Sequence, residues 1–291
     1  MKEVSNSHSP GGFTFTLLSR DPAWIAAADT AGVARIGIDI ERLGKHERQS
    51  HNPDARISDH ELTDLHVVVA SIRQARPFIR LNPLHAQSKW EIDTAIALGA
   101  RSIMLPQFRS AVDASRFVDW IGGRAEALLL LETAEAFLEL ETIVAIPGVS
   151  ELMVGLNDLS RAMGLTHPMQ MAASPMLEDI SRITHDAGVA FGFGGVAERG
   201  TPGSGSGSGP LPVPADLLLA RYAGLGARSA WLARSFVNHL TPSTLPVAVG
   251  RLRQHLDHWF TRDQTELAAA AEELRRHVTH VFSPTPAPSI L

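Results

Sequence analysis

SIMLPQFRSAVDASRFVDWIGGRAEALLLLE, residues Ser102–Glu132, holds a short apolar run (Ser102–Leu105), a segment of helical spacing (Ala111–Ile121) and a second apolar run (Ala127–Leu131). Gly122 closes the middle segment as a helix-terminating residue, since glycine adopts the left-handed conformation of a C-terminal cap without steric cost. The run of four leucines, Leu128–Leu131, does not alternate apolar with polar. A strand of that composition is buried on both faces, as parallel strands in a covered sheet are. Strand, helix, strand in this order is a crossover unit, which joins parallel neighbours.

The same rhythm extends outward from this unit. Strand candidates are Phe13–Leu18, Arg35–Ile40, Phe78–Leu81, Ser102–Leu105, Ala127–Leu131, Leu152–Gly155, Val189–Phe193 and Ser229–Ala233. Helical spacing falls between them at Lys89–Leu98, Ala111–Ile121, Thr133–Val144 and Pro175–Ala187, with Gly99, Gly122 and Gly188 as stop signals. Eight units over about 250 residues predict a single (β/α)8 TIM barrel. An open doubly wound sheet is the competing fold, but it carries a Gly-rich phosphate turn after its first strand, and none follows Leu18.

The expected division is a flexible N-terminus over 1–12, the barrel over 13–260, and a C-terminal helix with a Pro-rich tail over 261–291. Thr201–Pro210, TPGSGSGSGP, reads as a flexible stretch after the seventh strand. Thr265–Val281 has an amphipathic helical pattern that exceeds the barrel's needs, and such a helix packs on a neighbouring subunit or on its own barrel.

Composition narrows the chemistry. Lys and Arg number 26 against 31 Asp and Glu, with no basic run, which argues against a nucleic-acid partner. Cysteine is absent, so disulfides, thiolate ligands and a cysteine nucleophile are excluded, and a metal must bind through oxygen or imidazole. No apolar run reaches the roughly 20 residues of a membrane helix, and the first twelve residues lack a signal peptide's apolar core. The expectation is a cytoplasmic protein with no membrane partner.

In a barrel of this kind chemistry gathers at the C-terminal ends of the strands. There the sequence places Asp39 and Glu41, Arg80 and Asn82, Gln107, Glu132, Asn157 and Asp158, and Gly194 and Gly195. Singly, each reads as a solvated loop residue, and Asp158 also as a helix cap. Glu132 and Asp158 together, from adjacent strands five and six with no Cys or His beside them, make a hard oxygen site suited to Mg²⁺ or Mn²⁺. Arg80 is a fork for a carboxylate or for charge on an enolate oxygen, and equally an ion-pair partner of Glu41 or Asp39. Asp39 and Glu41, two apart on a strand, point the same way and would order water, position Arg80 or act as a base. His46, His51 and His85 have no ligand spacing and read as surface residues.

These motifs resemble the citrate lyase beta-subunit and HpcH/HpaI aldolase superfamily. The resemblance rests on GIDIERLGKHERQ from Gly37, FIRLNP from Phe78, EIDTAIALGARSIMLP from Glu91, LLLLETAEAF from Leu128 and PGVSELMVGLNDLSRAMG from Pro147. It implies that Glu132 and Asp158 are the metal-binding carboxylates and that Arg80 contacts the substrate's keto or enolate oxygens. Asp39 and Glu41 stand beside Arg80 as catalytic candidates, and Gly155 and Asn157 with Arg80 as substrate-binding candidates. It further implies a lyase or aldolase working on a small keto acid or an acyl-thioester through a metal-stabilised enolate. A homo-oligomer is a separate expectation.

Two positions depart from that pattern. Arg42 stands where the aldolase branch has a His, and where the citrate-lyase-like branch is acidic. Gln107 stands where that second branch often has a Lys after the strand-four proline. Three readings follow: a metal-dependent aldolase or lyase using a pyruvate-type enolate, an acyl-CoA lyase or citrate-synthase-like condensing enzyme, and a silent binding protein that keeps the metal site without its acid/base group. The second would need a basic surface for nucleotide phosphates, with Arg42, Lys45, Arg48 and Arg109 as candidates.

Overall fold

The computed structural model describes residues 12–49, 58–196 and 213–282. Its eight parallel strands are β1 (Thr14–Leu18), β2 (Arg35–Asp39), β3 (Arg76–Arg80), β4 (Ser102–Leu105), β5 (Glu126–Leu131), β6 (Val149–Val154), β7 (Ala190–Val196) and β8 (Ser229–Leu232). They pair in sequence order, and β8 pairs with β1 to close the barrel. The barrel expectation therefore holds, and every strand ends at the same mouth.

The non-alternating leucines have a simple cause in this closure. Leu129 and Leu131 pack outward against the helices, whereas Leu128 and Leu130 join Phe78, Met104 and Met153 in a separate cluster inside the barrel. Both faces of the strand are apolar because each serves a different core. The inward residues of neighbouring strands stack in layers. Below the apolar layer lies an ionic one, in which buried Arg35 reaches Glu151 at 2.7 Å and Glu126 at 3.4 Å, with Ser229 donating to Glu151 and Ser102 to Glu126.

Period two then fixes what stands above. Two residues beyond inward Leu130 is Glu132, two beyond Phe78 is Arg80, and two beyond Met153 is Gly155. The mouth is the next layer of the same stack.

Four local expectations are corrected. Strand β3 starts at Arg76, before Phe78, and β6 at Val149, before Leu152. The single helix expected over Thr133–Val144 is broken at Glu139 into Ala134–Leu138 and Leu140–Val144. Glu139 leaves the helical run and its carboxylate accepts the Ala111 N–H at 2.7 Å, tying the break to the start of the Ala111–Ile121 helix. Finally, Asn157 and Asp158 lie in the first turn of a helix, Leu156–Ala162, whose N-terminal cap is Gly155, and not at the end of β6.

The amphipathic pattern near the C-terminus forms a helix, Gln264–Phe282, which packs on the Ala215–Gly224 helix of the same chain. The stretch Thr201–Pro210, the first eleven residues and the Pro-rich tail from Ser283 lie outside the described residues. No described helix is long and apolar enough to cross a membrane.

Gly37 marks the tightest point of the interior. A Cβ there would lie 1.7 Å from the Phe78 carbonyl oxygen, a backbone atom that cannot rotate away. Gly37→Ala is expected to cost ~3 kcal/mol or more, the upper range for overpacking, because β2 and β3 must separate to admit it. Urea denaturation of parent and variant measures the loss.

Candidate active site

The mouth collects charge from β2, β3 and β5 and from the helix after β6. Arg80 and Asp39 form a two-point ion pair: Nε donates to Oδ1 at 2.9 Å and Nη2 to Oδ2 at 2.7 Å. Arg80 also lies 3.4 Å from Glu41, and its guanidinium carbon sits 5.3 Å from the centre of the Trp231 ring. A planar cation pinned between a carboxylate fork and an aromatic face has little orientational freedom. Burial alone would push the Asp39 carboxyl up, but Arg80, then Lys45 and the Glu41 N–H, outweigh it and hold the group well below its usual range. Both ion-pair partners expected for Arg80 are thus present.

Asp39 is the last residue of β2, and Glu41 follows in the loop with its own N–H donating to Asp39 Oδ1. Buried Lys45 bridges the two, at 3.1 Å from Asp39 and 2.9 Å from Glu41, while Arg48 takes the other Glu41 oxygen at 2.5 Å. The loop itself is anchored by Asn82, whose Oδ1 accepts the Arg42 and Leu43 N–H groups.

Glu132 and Asp158 are different. Glu132 is 6% exposed and accepts one hydrogen bond, from Gln107 Nε2 to Oε2 at 2.9 Å. Among the described residues no salt bridge reaches either carboxylate. Burial, then the negative charges of Glu41 and Asp158, raise the Glu132 carboxyl to about 8 against the pull of Arg80. Burial also raises Asp158, with Glu41 adding to the effect and Arg48, Arg161 and Arg80 opposing it. Two neighbouring acids that both resist ionisation describe a place that accepts positive charge.

A Cβ at Gly155 would meet Glu132 Cγ and Oε1 at 2.5 Å, so glycine there leaves the Glu132 side chain its position. Among the described residues no group of three or more His, Cys, Asp and Glu side chains is arranged to hold a metal. The donor set fits a hard cation that keeps solvent or substrate oxygens around it, because magnesium sites commonly use only one or two carboxylates.

The remaining candidates divide. Asn157 is exposed on the first turn of its helix. Arg42 turns outward to Glu61 and to the His60 carbonyl, and Arg109 pairs with Glu135 at the surface. His85, expected at the surface, is half-buried against Glu91 at 3.1 Å. The side chain of His46 and all of His51 lie outside the described residues. Trp231 was missed, although the step of two from Ser229 to Trp231 in β8 carries the signal.

This geometry can be set beside known proteins. The model of the family described as HpcH/HpaI aldolase/citrate lyase matches residues 17–194, more than half of the 291. The chain belongs to that family. No curated protein matches it by sequence. Among solved structures, a member of the family from Burkholderia cenocepacia shares 18% identity at a TM-score of 0.57, covering 80% of this chain and 93% of that one. The citrate lyase beta subunit from M. tuberculosis, complexed with oxaloacetate and magnesium, shares 16% at 0.56, covering 84% and 98%. The citrate synthase SbnG shares 13% at 0.56, covering 90% and 94%. At these identities the likeness is one of fold.

The raised Glu132 carboxyl links stability to pH. An unfolded glutamate releases its proton near 4.5, while the native one keeps it to about 8. Between those values the native state binds more protons than the unfolded, so stability is full below the window and falls as pH rises through it. Asp39, shifted downward, loses its contribution only as pH falls below its ordinary value of 3.8. In chelator, the parent is therefore expected to melt several degrees lower at pH 8 than at pH 5, and Glu132→Gln to show a flatter profile. Equal slopes in thermal melts of the two proteins would mean that Glu132 ionises normally.

Proposed function

We propose that this family member is a divalent-metal-dependent carbon–carbon lyase or aldolase acting on a small keto acid through a pyruvate-type enolate. One observation carries the reading: Glu132 is buried and Asp158 half-buried, the charge of Asp158 acts on Glu132, and among the described residues no salt bridge reaches either carboxylate. These two would hold Mg²⁺ or Mn²⁺, and the oxaloacetate and magnesium of the M. tuberculosis relative support that pairing of metal and substrate class. When bound, such an ion supplies Lewis-acid polarisation of a carbonyl.

The chain's own residues do the rest. Arg80 presents positive charge toward the substrate's carboxylate or developing enolate oxygen. Asp39 holds Nε and Nη2, so the Nη1 corner is left for substrate, and orientation is set before binding. Asp39 itself is too firmly anionic to serve as a base near neutral pH, and with Glu41 it positions Arg80 and Lys45. Gly155 keeps the Glu132 carboxylate in place, and Trp231 walls the site beside Arg80. Asn157 is assigned to its outer rim.

The thioester reading asks for free basic groups to take nucleotide phosphates. Arg42, Lys45, Arg48 and Arg109 each have a carboxylate partner instead, which favours the keto acid.

Exchange of pyruvate methyl protons in deuterated water with Mg²⁺, followed by NMR, reports enolate formation without a second substrate. Arg80→Lys keeps the charge but loses the planar fork, and is expected to exchange about 100- to 1,000-fold more slowly. Glu132→Gln and Asp158→Asn are expected to lose Mg²⁺ binding in calorimetric titrations while remaining folded. Unchanged exchange in Arg80→Lys would leave Arg80 as an ion-pair partner of Asp39 alone, and unchanged affinity in both carboxylate variants would remove the metal role.

A further inference from the structure

Gln107 is the sole non-glycine among the described residues with a positive φ, at 53°. Every other left-handed position among them is a glycine. The conformation is costly for a residue with a long side chain and persists where the surroundings hold it. Here the surroundings are the mouth. The segment after β4 is stitched to the segment after β5 twice: Gln107 Nε2 donates to Glu132 Oε2 at 2.9 Å, and Thr133 Oγ1 donates to the Phe108 carbonyl at 2.8 Å. The second bond comes from the residue next to Glu132 and fixes the backbone on the far side of Gln107.

We propose that Gln107 is a positioning residue for Glu132, its left-handed backbone aiming the amide so that Oε2 is occupied and Oε1 alone is presented as the ligand oxygen. The two oxygens are distinguished by their surroundings. Oε2 takes the amide, while Oε1 lies over Gly155, where a Cβ would come within 2.5 Å of it. Gly155 is the N-terminal cap of the helix that carries Asp158, so the oxygen left open lies against the start of that helix. Groups that hydrogen-bond a ligand in this way orient it, and their loss typically weakens metal binding roughly 10- to 100-fold.

This inference rests on Glu132 being a metal ligand. Gln107→Asn tests it, because asparagine tolerates the left-handed region but is one methylene too short to reach Glu132. Calorimetric titration with Mn²⁺ is expected to show affinity at least about 10-fold weaker than the parent, while the melting temperature in chelator stays within roughly 2 °C. A merely structural Gln107 would move the melting temperature and leave the affinity alone. Gln107→Gly provides the same reading should the Asn variant fold poorly, since glycine removes both the strain and the donor. If Mn²⁺ binds the folded variant within twofold of the parent while Glu132→Gln has lost it, the positioning role is overturned and the metal site stands. If Glu132→Gln also binds as the parent does, the metal reading falls and this inference with it.

Discussion

A closed eight-stranded barrel leaves no choice about where alternate side chains go: every second residue of every strand must share one interior. In this chain that interior is filled in three storeys, an ionic layer around Arg35, an apolar layer around Phe78 and Leu128, and the charged mouth. The apolar layer is the piece on which the others depend. It closes the mouth from below, so Asp39, Glu41 and Glu132 depend on one another, the nearby cations, the Gln107 amide and the opening above for partners. The displaced titration of Asp39 and of Glu132 follows from that single circumstance, in opposite directions, according to whether a cation of the chain stands next to the carboxylate.

Much of this was legible in the sequence, and the reason is the same period. Apolar runs with polar terminal residues report both the strand and the identity of the residue two steps beyond its last inward position, which is how Arg80 and Glu132 are found without coordinates. Asp158 was placed correctly at the mouth but on the wrong element, because the Gly155 turn into a helix is shorter than the run suggests. The break at Glu139 was hidden because both halves keep helical spacing, and the hydrogen bond that separates them joins residues 28 apart.

What could not be read belongs to contacts that closure creates. The φ of Gln107, the Trp231 face over Arg80 and the Lys45 bridge between Asp39 and Glu41 each join segments whose relation is set by strand order and loop path. Lys45 illustrates the difficulty. On sequence it is one of several cations suited to a phosphate, whereas in the fold it is 7% exposed and bound to two carboxylates.

Arg42 shows how one exchange redirects a site. A histidine at that point would put a neutral-pH proton carrier beside Glu41, but the arginine here turns away to Glu61 and His60. Asp39 and Glu41 are held by Arg80, Lys45 and Arg48, which withdraws these two carboxylates from that duty. On the proposed reading the mouth therefore works chiefly by stabilising negative charge, through Arg80 and the cation that Glu132 and Asp158 would hold. On that reading Arg80 and the cation meet the electrostatic demand of carbon–carbon cleavage, while the proton lost by the substrate hydroxyl passes to solvent at the mouth and the enolate carbon regains one from it.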